Sequence, residues 1–259
     1  MTLTQKNQIA SEMGHWYKLD GTPSYTTTGK NGEERAYTLR DARKDKDRVP
    51  SVTTILKVAA NEGLNRWIKS NLLMAAATLP RVEGESADDW IKRVEEDARR
   101  QSQEAAELGT YIHGSLEKAY EGKDYPEDHR LYVTSTMEAI KSTFGEQDWK
   151  PEKSFAHSLG FGGKIDLSSS EVVIDFKTSG FDETKKDFGY DEHKMQLAAY
   201  AYGLGLDARC ANVYVSTTIP GLVYIKEWEK EEIAQGLSMF MHLLEYWQIK
   251  NKYAPGKMQ

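Results

Sequence analysis

The sequence of 259 residues is 39% hydrophobic and includes six Trp and fourteen Tyr, so it is long and apolar enough to build one large domain. Its single cysteine, Cys210, excludes an intrachain disulfide and any four-cysteine zinc or iron–sulfur site, and a reducing compartment is expected. The net charge of −6 gives no global basic field that would indicate nucleic acid, although basic contacts with DNA can be local.

The sequence also indicates a cytoplasmic protein that has no membrane partner. No apolar run approaches the ~18 residues that a membrane span requires. The N-terminal residues 1–6 are polar and do not resemble a secretory signal.

Residues 1–50 are predicted to be polar and largely irregular, with one strand at residues 15–17. The charged run at residues 40–48 is typical of a mobile, solvated loop, with contact to a phosphate backbone as the alternative. Ser51 is expected to cap a short helix or strand at residues 52–56, and Asn61 to cap a helix that continues to residue 79.

A long helix is predicted to open at the capping-box pattern of Ser86 and Asp89 and to run to Tyr120. Gly109 and His113 lie four residues apart beside its apolar stripe, which consists of Leu108, Ile112, Leu116 and Tyr120. A glycine inside a helix costs ~1 kcal/mol relative to alanine. Another part of the chain is therefore expected to approach the helix closely at Gly109.

The stretch 152–177 carries acidic residues on or beside short runs that favour β-structure. Successive side chains of a strand point to opposite faces, so Asp175 and Lys177 share one face while Phe176 turns into the core. A tight Ser-rich turn after Asp166 would bring that carboxylate alongside Asp175. Because a buried acid is costly unless it is paired or metal-bound, the pattern indicates a hydrolytic site for a hard divalent cation.

Two further helices are predicted from apolar spacing and end signals. The first covers residues 133–144. The second begins with Asp191 as its N-cap and runs to about residue 206. Gln196 and Tyr200 lie four residues apart, so they share one face of this second helix.

The remaining C-terminal segments are predicted as a connection, a hairpin and a helix. Residues 180–190, which include Lys186, are expected to form a flexible connection. Residues 213–215 and 222–225 are expected to pair as a hairpin. An amphipathic helix is predicted from residue 229 to about residue 246.

Taken together, these motifs resemble the PD-(D/E)xK nuclease superfamily, and in particular its RecB-type exonuclease branch. The matching segments are, in chain order, Gly109-Thr110-Tyr111-Ile112-His113, Glu152 before Gly162-Gly163-Lys164-Ile165-Asp166, Ile174-Asp175-Phe176-Lys177-Thr178, and Gln196-Leu197-Ala198-Ala199-Tyr200. Residues 49–56 are similar to a segment of phage exonucleases and of the mitochondrial genome maintenance exonuclease group. The motif resemblance covers about residues 109–200. The branch's iron–sulfur subset uses four cysteines, so this chain differs from that subset.

The resemblance implies a set of site residues. His113, Asp166 and Asp175 are expected to bind Mg²⁺ or Mn²⁺, with the Phe176 backbone carbonyl as a fourth ligand. A histidine ligand suits Mn²⁺ better than Mg²⁺, so activity with Mn²⁺ should be at least comparable. The residues expected to act in catalysis are Asp166, Asp175, Lys177, Glu152, Gln196 and Tyr200.

The implied roles of these residues differ. Lys177 would orient the attacking water or neutralise charge that develops on the phosphate. Gln196 and Tyr200 would position other groups or the DNA, and an unperturbed pKa near ~10 argues against Tyr200 as a general base. Glu152 lies well before Asp166 in the chain, so it belongs either to the active site or to the surface.

The implied fold is α/β, a restriction-endonuclease-like core with a mixed central β-sheet flanked by helices. Residues 1–259 are expected to form a single nuclease domain. Within it, an N-terminal strand and helical portion, residues 1–105, would shape the DNA channel, and residues 106–259 would form the catalytic core. The aromatic residues Trp16, Tyr17 and Trp67 could stack on bases of a single strand, but packing in the core is expected for each.

The implied function is a metal-dependent DNA exonuclease, acting in phage or bacterial DNA recombination, repair or replication. Its partners would be single- or double-stranded DNA ends and a phage or host recombination or replication protein. Three alternatives stay open: a structure-selective or restriction-like endonuclease, a non-catalytic DNA-binding or nuclease-inhibiting protein on the same fold, and a hydrolase of small phosphoesters. Polarity, strand preference, processivity and oligomeric state are not indicated by the sequence.

Overall fold

The structure, a computed structural model, describes residues 14–59, 62–185 and 187–255. Asn61, predicted to cap a helix, and Lys186, predicted in the flexible connection, lie outside the described residues, as does the polar stretch 1–6. None of the helices in the described ranges is both long and apolar enough to cross a membrane.

Nine β-strands are formed by the described residues. In chain order they are β1 (Trp16–Lys18), β2 (Thr26–Thr28), β3 (Glu34–Ala36), β4 (Arg48–Pro50), β5 (Lys150–His157), β6 (Phe161–Ser168), β7 (Val172–Ser179), β8 (Arg209–Ser216) and β9 (Val223–Trp228). Strands β5 to β9 form the central sheet in sequence order. Only β7 and β8 are parallel neighbours within it, so the sheet is mixed. β1 pairs with β4, and β2 with β3, in two small antiparallel ribbons.

Seven α-helices are formed by the same residues. They are α1 (Leu39–Asp45), α2 (Val52–Leu56), α3 (Glu62–Thr78), α4 (Ala87–Tyr120), α5 (Arg130–Phe144), α6 (Asp191–Leu204) and α7 (Lys230–Asn251). Helices α4 and α5 pack on one face of the sheet, and α6 and α7 pack on the other. The predicted α/β fold, with a mixed central sheet flanked by helices, is confirmed.

Two apolar clusters lie on the two faces of the sheet, because alternate residues of each strand point in opposite directions. On the first face, α4 and α5 contact β7 and β8 through Ile112, Leu116, Val133, Ile140, Ile174, Phe176, Val213 and Val215. On the second face, α6, α7 and the N-terminal portion meet β6 and β7 through Trp16, Tyr37, Val52, Phe161, Val173, Leu197, Phe240 and Trp247. The N-terminal strands and α2 therefore share a core with the sheet.

The charged run at residues 40–48 is not a loop, and that prediction was wrong. It forms α1 and then β4. Asp41 closes a capping box with Thr38, whose backbone N–H donates to the Asp41 carboxylate at 2.9 Å. The Arg35 guanidinium beside Asp41 holds the pKa of that carboxyl well below its usual range. These local bonds and the buried Ala42 stabilise a helix that the charge composition conceals.

Most other helix predictions are confirmed, with differences at several ends. Ser51 caps α2, since its hydroxyl accepts the Thr54 backbone N–H at 3.0 Å, and α4 follows its Ser86 cap. Asp191 is the first helical residue of α6 and not its N-cap, which is Tyr190. Helix α7 continues to residue 251, beyond the predicted end at residue 246.

Candidate active site

The candidate site lies where β6 and β7 separate. Their backbone pairing consists of Leu167 with Ile174 and Ser168 with Val173. The next residues along the two strands are Asp166 and Asp175. Beyond the last pair, the Phe176 backbone N–H donates to Asp166 Oδ2 at 2.7 Å. In an unbroken ladder, a backbone carbonyl of β6 would accept this N–H. Here the Asp166 carboxylate accepts it, at the point where the two strands separate.

Asp175 is a buried carboxylate, only 3% exposed, that accepts three side-chain hydrogen bonds. Gln196 Nε2 donates to Oδ1 at 2.8 Å, while Asn212 Nδ2 and Lys177 Nζ each lie 2.8 Å from Oδ2. Burial raises the pKa of Asp175, the Lys177 ammonium opposes that rise, and the nearby Asp166 carboxylate adds to it. Such bonding is what allows an acid to be tolerated inside an apolar strand.

Lys177 of β7 and Gln196 of α6 connect this strand to the helix that packs over it. Lys177 lies on the same face of β7 as Asp175, and its ammonium donates to Gln196 Oε1 at 3.0 Å. Phe176 points to the opposite face, into the core under α4, as predicted. The Gln196 amide also donates to the Tyr200 hydroxyl at 2.9 Å. Burial, followed by the negative charge of Asp175, raises the pKa of Tyr200 well above its ordinary value, so the phenol stays protonated.

His113 reaches the site from α4 on the other side of the sheet. Its Nδ1 lies 3.7 Å from Asp166 Oδ2, and its ring meets Phe176 edge-on with 6.0 Å between ring centroids. One turn earlier, Gly109 lets α4 lie close to β7. A Cβ built at Gly109 would be 2.5 Å from Thr178 Oγ1, which is closer than real Cβ atoms come. The close approach predicted at Gly109 is confirmed.

Glu152 is near the site in the sheet but is not bonded to it. It lies on β5, between the paired positions Pro151–Leu167 and Lys153–Ile165, and so opposite Asp166. Its backbone has a left-handed φ of +53°. The Glu152 carboxylate pairs with the Lys164 ammonium. The structure therefore brings together the other predicted side chains, His113, Asp166, Asp175, Lys177, Gln196 and Tyr200, and leaves Glu152 with a different partner.

A cleft with a volume of about 560 Å³ lies beside Lys177. Its walls carry hydroxyls, a second lysine and aromatic rings, contributed by Trp67, Thr178, Ser179, Lys185, Tyr190, His193, Tyr214 and Thr217. Trp67 and Tyr190 are each 44% exposed. Core packing was expected for Trp67, and that prediction was wrong, whereas Trp16 and Tyr17 are buried as expected.

Two residues of the site, the buried Asn212 and the half-buried His193, were not predicted from the sequence. Asn212 lies directly beside Asp175 in the parallel β7–β8 pairing, and its Oδ1 accepts the Trp228 indole N–H at 2.8 Å. A polar residue inside the apolar run of β8 was the signal that could have revealed it. His193 precedes Gln196 by three residues, so it lies on the same face of α6.

His193 is held neutral in its half-buried position. Its Nδ1 lies 2.8 Å from the hydroxyl of Tyr214, the neighbour of Lys177 across the β7–β8 pairing. Burial, and after it the Lys177 ammonium, lowers the pKa of His193 to about 4. Its imidazole therefore adds no positive charge to the cleft at neutral pH.

The side chains available to a metal ion are two carboxylates and one imidazole. In the part of the chain that the structure describes, no three His, Cys, Asp or Glu side chains converge closely enough to form a metal cage. The ligand types nevertheless fit an oxygen-preferring divalent cation. Asp166 adds to the rise in the Asp175 pKa, and a cation next to both would offset that repulsion.

Comparison with known proteins gives a likeness among solved structures. No protein-family model and no curated protein sequence matches this chain. A candidate exonuclease from Eubacterium rectale is 14% identical over 56% of this chain and 68% of its own, with a TM-score of 0.39. An alkaline exonuclease from Laribacter hongkongensis is 12% identical over 78% of this chain and 92% of its own, with a TM-score of 0.34.

Proposed function

We propose that the protein is a metal-dependent deoxyribonuclease that hydrolyses phosphodiester bonds from DNA ends. The observation that carries the proposal is the joining of Asp175 and Lys177 by Gln196 beside the Asp166–His113 pair. Two carboxylates, an imidazole and an ammonium are the groups that phosphodiester hydrolysis needs, and the ammonium of Lys177 lines the cleft. The motif order in the sequence supports the same reading.

A divalent cation, Mg²⁺ or Mn²⁺, would be held by Asp166, Asp175 and His113, with the Phe176 carbonyl as a further oxygen ligand. When bound, such an ion activates water as a nucleophile and stabilises negative charge on the scissile phosphate. Since imidazole suits Mn²⁺ better than Mg²⁺, we expect Mn²⁺ to support at least comparable activity.

Lys177 is proposed to stabilise the charge that develops on the phosphate. Its ammonium borders the cleft and is fixed by Asp175 Oδ2 and Gln196 Oε1. A donor that is already held in position needs little reorganisation when a phosphate oxygen gains charge, and this is the main source of electrostatic catalysis. Tyr200 positions Gln196 and does not accept a proton, because its phenol stays protonated.

The cleft supports action on a DNA end. A volume of about 560 Å³ is in the range of small-molecule sites, so it suits a terminal nucleotide better than a continuous duplex. Lys177 and Lys185 can contact phosphate oxygens, and the exposed rings of Trp67 and Tyr190 can stack on bases.

The test is a time course on linear and covalently closed circular DNA, single- and double-stranded, with Mg²⁺, with Mn²⁺ or with a chelator. The proposal predicts that linear forms disappear only with metal while circles stay intact. The labelled end that is released first gives the polarity. Cutting of circles would instead establish an endonuclease, and no cleavage of any DNA would leave a binding protein on this fold.

A further inference from the structure

A second charged site lies apart from the cleft, at the ends of α1 and α7. Four basic side chains surround one open pocket of about 550 Å³ next to the buried ring of Tyr253, namely Arg43, Lys46, Lys250 and Lys252. The pocket and the cleft share no lining residue. Among the residues that the structure describes, no carboxylate is within ion-pair distance of any of the four. We name this pocket the α1/α7 basic site.

Two of its lysines occupy positions where glycine is normally favoured. Lys46 ends α1 and Lys252 ends α7, both with left-handed backbone, at φ +58° and +47°. This conformation at a helix end is usually taken by glycine, because any Cβ strains it. Glu152 is the only other non-glycine residue in the described ranges with positive φ. Both strained positions carry lysine, and both lysines line one pocket. Strain that is kept in this way indicates a functional role for the two positive charges.

Helix capping does not account for the whole cluster. A cation near a helix C-terminus is favourable, and Arg43 Nε donates to the Asn251 carbonyl at 2.9 Å. That bond engages one of the four cations. Asp45 and Asp47 flank Lys46, but their carboxylates accept from the Tyr37 hydroxyl and do not line the pocket. The site keeps a surplus of positive charge on a chain whose net charge is −6.

We propose that the α1/α7 basic site binds backbone phosphates of DNA beyond the segment held in the cleft. The proposal rests on the proposed function, since it assigns a second contact to the same substrate. The site is open, and exposed lysines lie around it. Such a surface fits a phosphodiester chain that passes over the protein better than it fits a small, enclosed anion. Lysine contacts to phosphate carry no base information, so the contact is independent of sequence.

The test is the double variant Lys46→Gly/Lys252→Gly. Glycine relieves the strain at both helix ends, so this variant folds and its Tm is equal to or above that of the wild type. Affinity for a long labelled DNA is measured by fluorescence anisotropy in chelator over a series of salt concentrations. Binding weakens as salt increases, so the slope of log K against log salt is negative. Loss of two phosphate contacts makes this slope less steep, by about 1.8 for duplex or about 1.4 for a single strand. Hydrolysis of an oligonucleotide of only a few nucleotides stays unchanged, because such a substrate occupies the cleft and does not reach the α1/α7 basic site.

The matched control is Lys118→Gln/Lys141→Gln, which removes two lysine charges from the surfaces of α4 and α5. It leaves the salt slope at the wild-type value. An unchanged slope in the glycine variant, with cleavage intact, would overturn the second contact and leave the proposed function standing. Tight binding of inorganic phosphate that only the glycine variant loses, with DNA affinity unaltered, would assign the pocket to a small anion. Absence of DNA binding and cleavage in the wild type would overturn both proposals.

Discussion

Asp175 shows how single residues set the chemistry of this site. It is buried in an apolar strand, and three donors hold its two oxygens. Removal of the carboxylate would leave the donors of Lys177 and Asn212 without their acceptor. Breaking a buried charged pair in this way costs on the order of 3–5 kcal/mol. Asp175→Asn is therefore the better probe of its role, because it keeps the shape of the side chain.

Substitution of Tyr200 tests whether its hydroxyl, which accepts a hydrogen bond from Gln196, transfers a proton. Because burial keeps the phenol protonated, we expect Tyr200→Phe to reduce kcat by less than about tenfold, with an unchanged pH profile. The small loss comes from one hydrogen bond to Gln196. Steady-state kinetics between pH 6 and 10 provide the measurement. A loss of a thousandfold, or a shifted alkaline limb, would show that the phenol acts directly.

The sequence predicts part of this constellation for a clear reason. Side-chain alternation along one strand is local, so the shared face of Asp175 and Lys177 and the opposite direction of Phe176 follow from the chain itself. Asn212 and His193 join the site through the parallel pairing of β7 with β8 and the docking of α6. Those contacts are tertiary, so the sequence can mark the two residues as unusual but does not identify Asp175 and Tyr214 as their partners.

The distance between helix α4 and strand β7 determines whether His113 reaches Asp166. Gly109 provides that distance, since a Cβ there would collide with Thr178 Oγ1. The helix periodicity placed Gly109 and His113 on one side of a long helix and indicated a close approach. It did not identify the neighbour, because the strand that packs there lies more than sixty residues further along the chain.

Two alanine substitutions in α4 test this packing. Gly109→Ala forces α4 away from β7, so we expect a loss of roughly 1–3 kcal/mol in the free energy of unfolding and a fall in activity as His113 moves. Gly114→Ala, five residues later in the same helix, meets no atom within 4 Å and should gain up to about 1 kcal/mol. Urea unfolding of both variants gives the comparison. Equal effects of the two would contradict the assigned role of Gly109, and Thr178→Ala should partly restore the first variant.

Helix α1 and strand β4 replace the loop that was predicted for residues 40–48. Charge density predicted a loop, whereas a capping box and one buried alanine stabilise a helix there. Capping depends on a bond between Thr38 and Asp41 three residues apart, which is visible in the sequence only when the helix start is already suspected.

Across the whole molecule, three partly buried histidines make stability depend on pH. The pKa of His193 is lowered from 6.5 to about 4, and burial also lowers the pKa values of His15 and His157. The unfolded chain binds more protons than the folded chain between these values, so the free energy of unfolding falls as pH drops from 6.5 to 4. His193 alone contributes at most roughly 3 kcal/mol to that loss, at about 1.4 kcal/mol for each pKa unit.

His193→Gln isolates this contribution. Urea midpoints of the wild type and the variant between pH 4 and pH 7 should show a shallower dependence in the variant. Parallel curves would mean that His193 titrates normally in the folded protein.

One site of the folded molecule, centred on Asp175 and Lys177, is proposed to hydrolyse DNA with a divalent cation. The most direct test compares cleavage of end-labelled linear DNA in Mn²⁺ by the wild type, Lys177→Met and Lys185→Met. Both variants lose one positive charge from the same cleft. We predict that Lys177→Met lowers kcat by at least about 100-fold with little change in KM, whereas Lys185→Met mainly raises KM. Wild-type kcat in Lys177→Met, or equal effects of the two substitutions, would contradict the catalytic role proposed for Lys177.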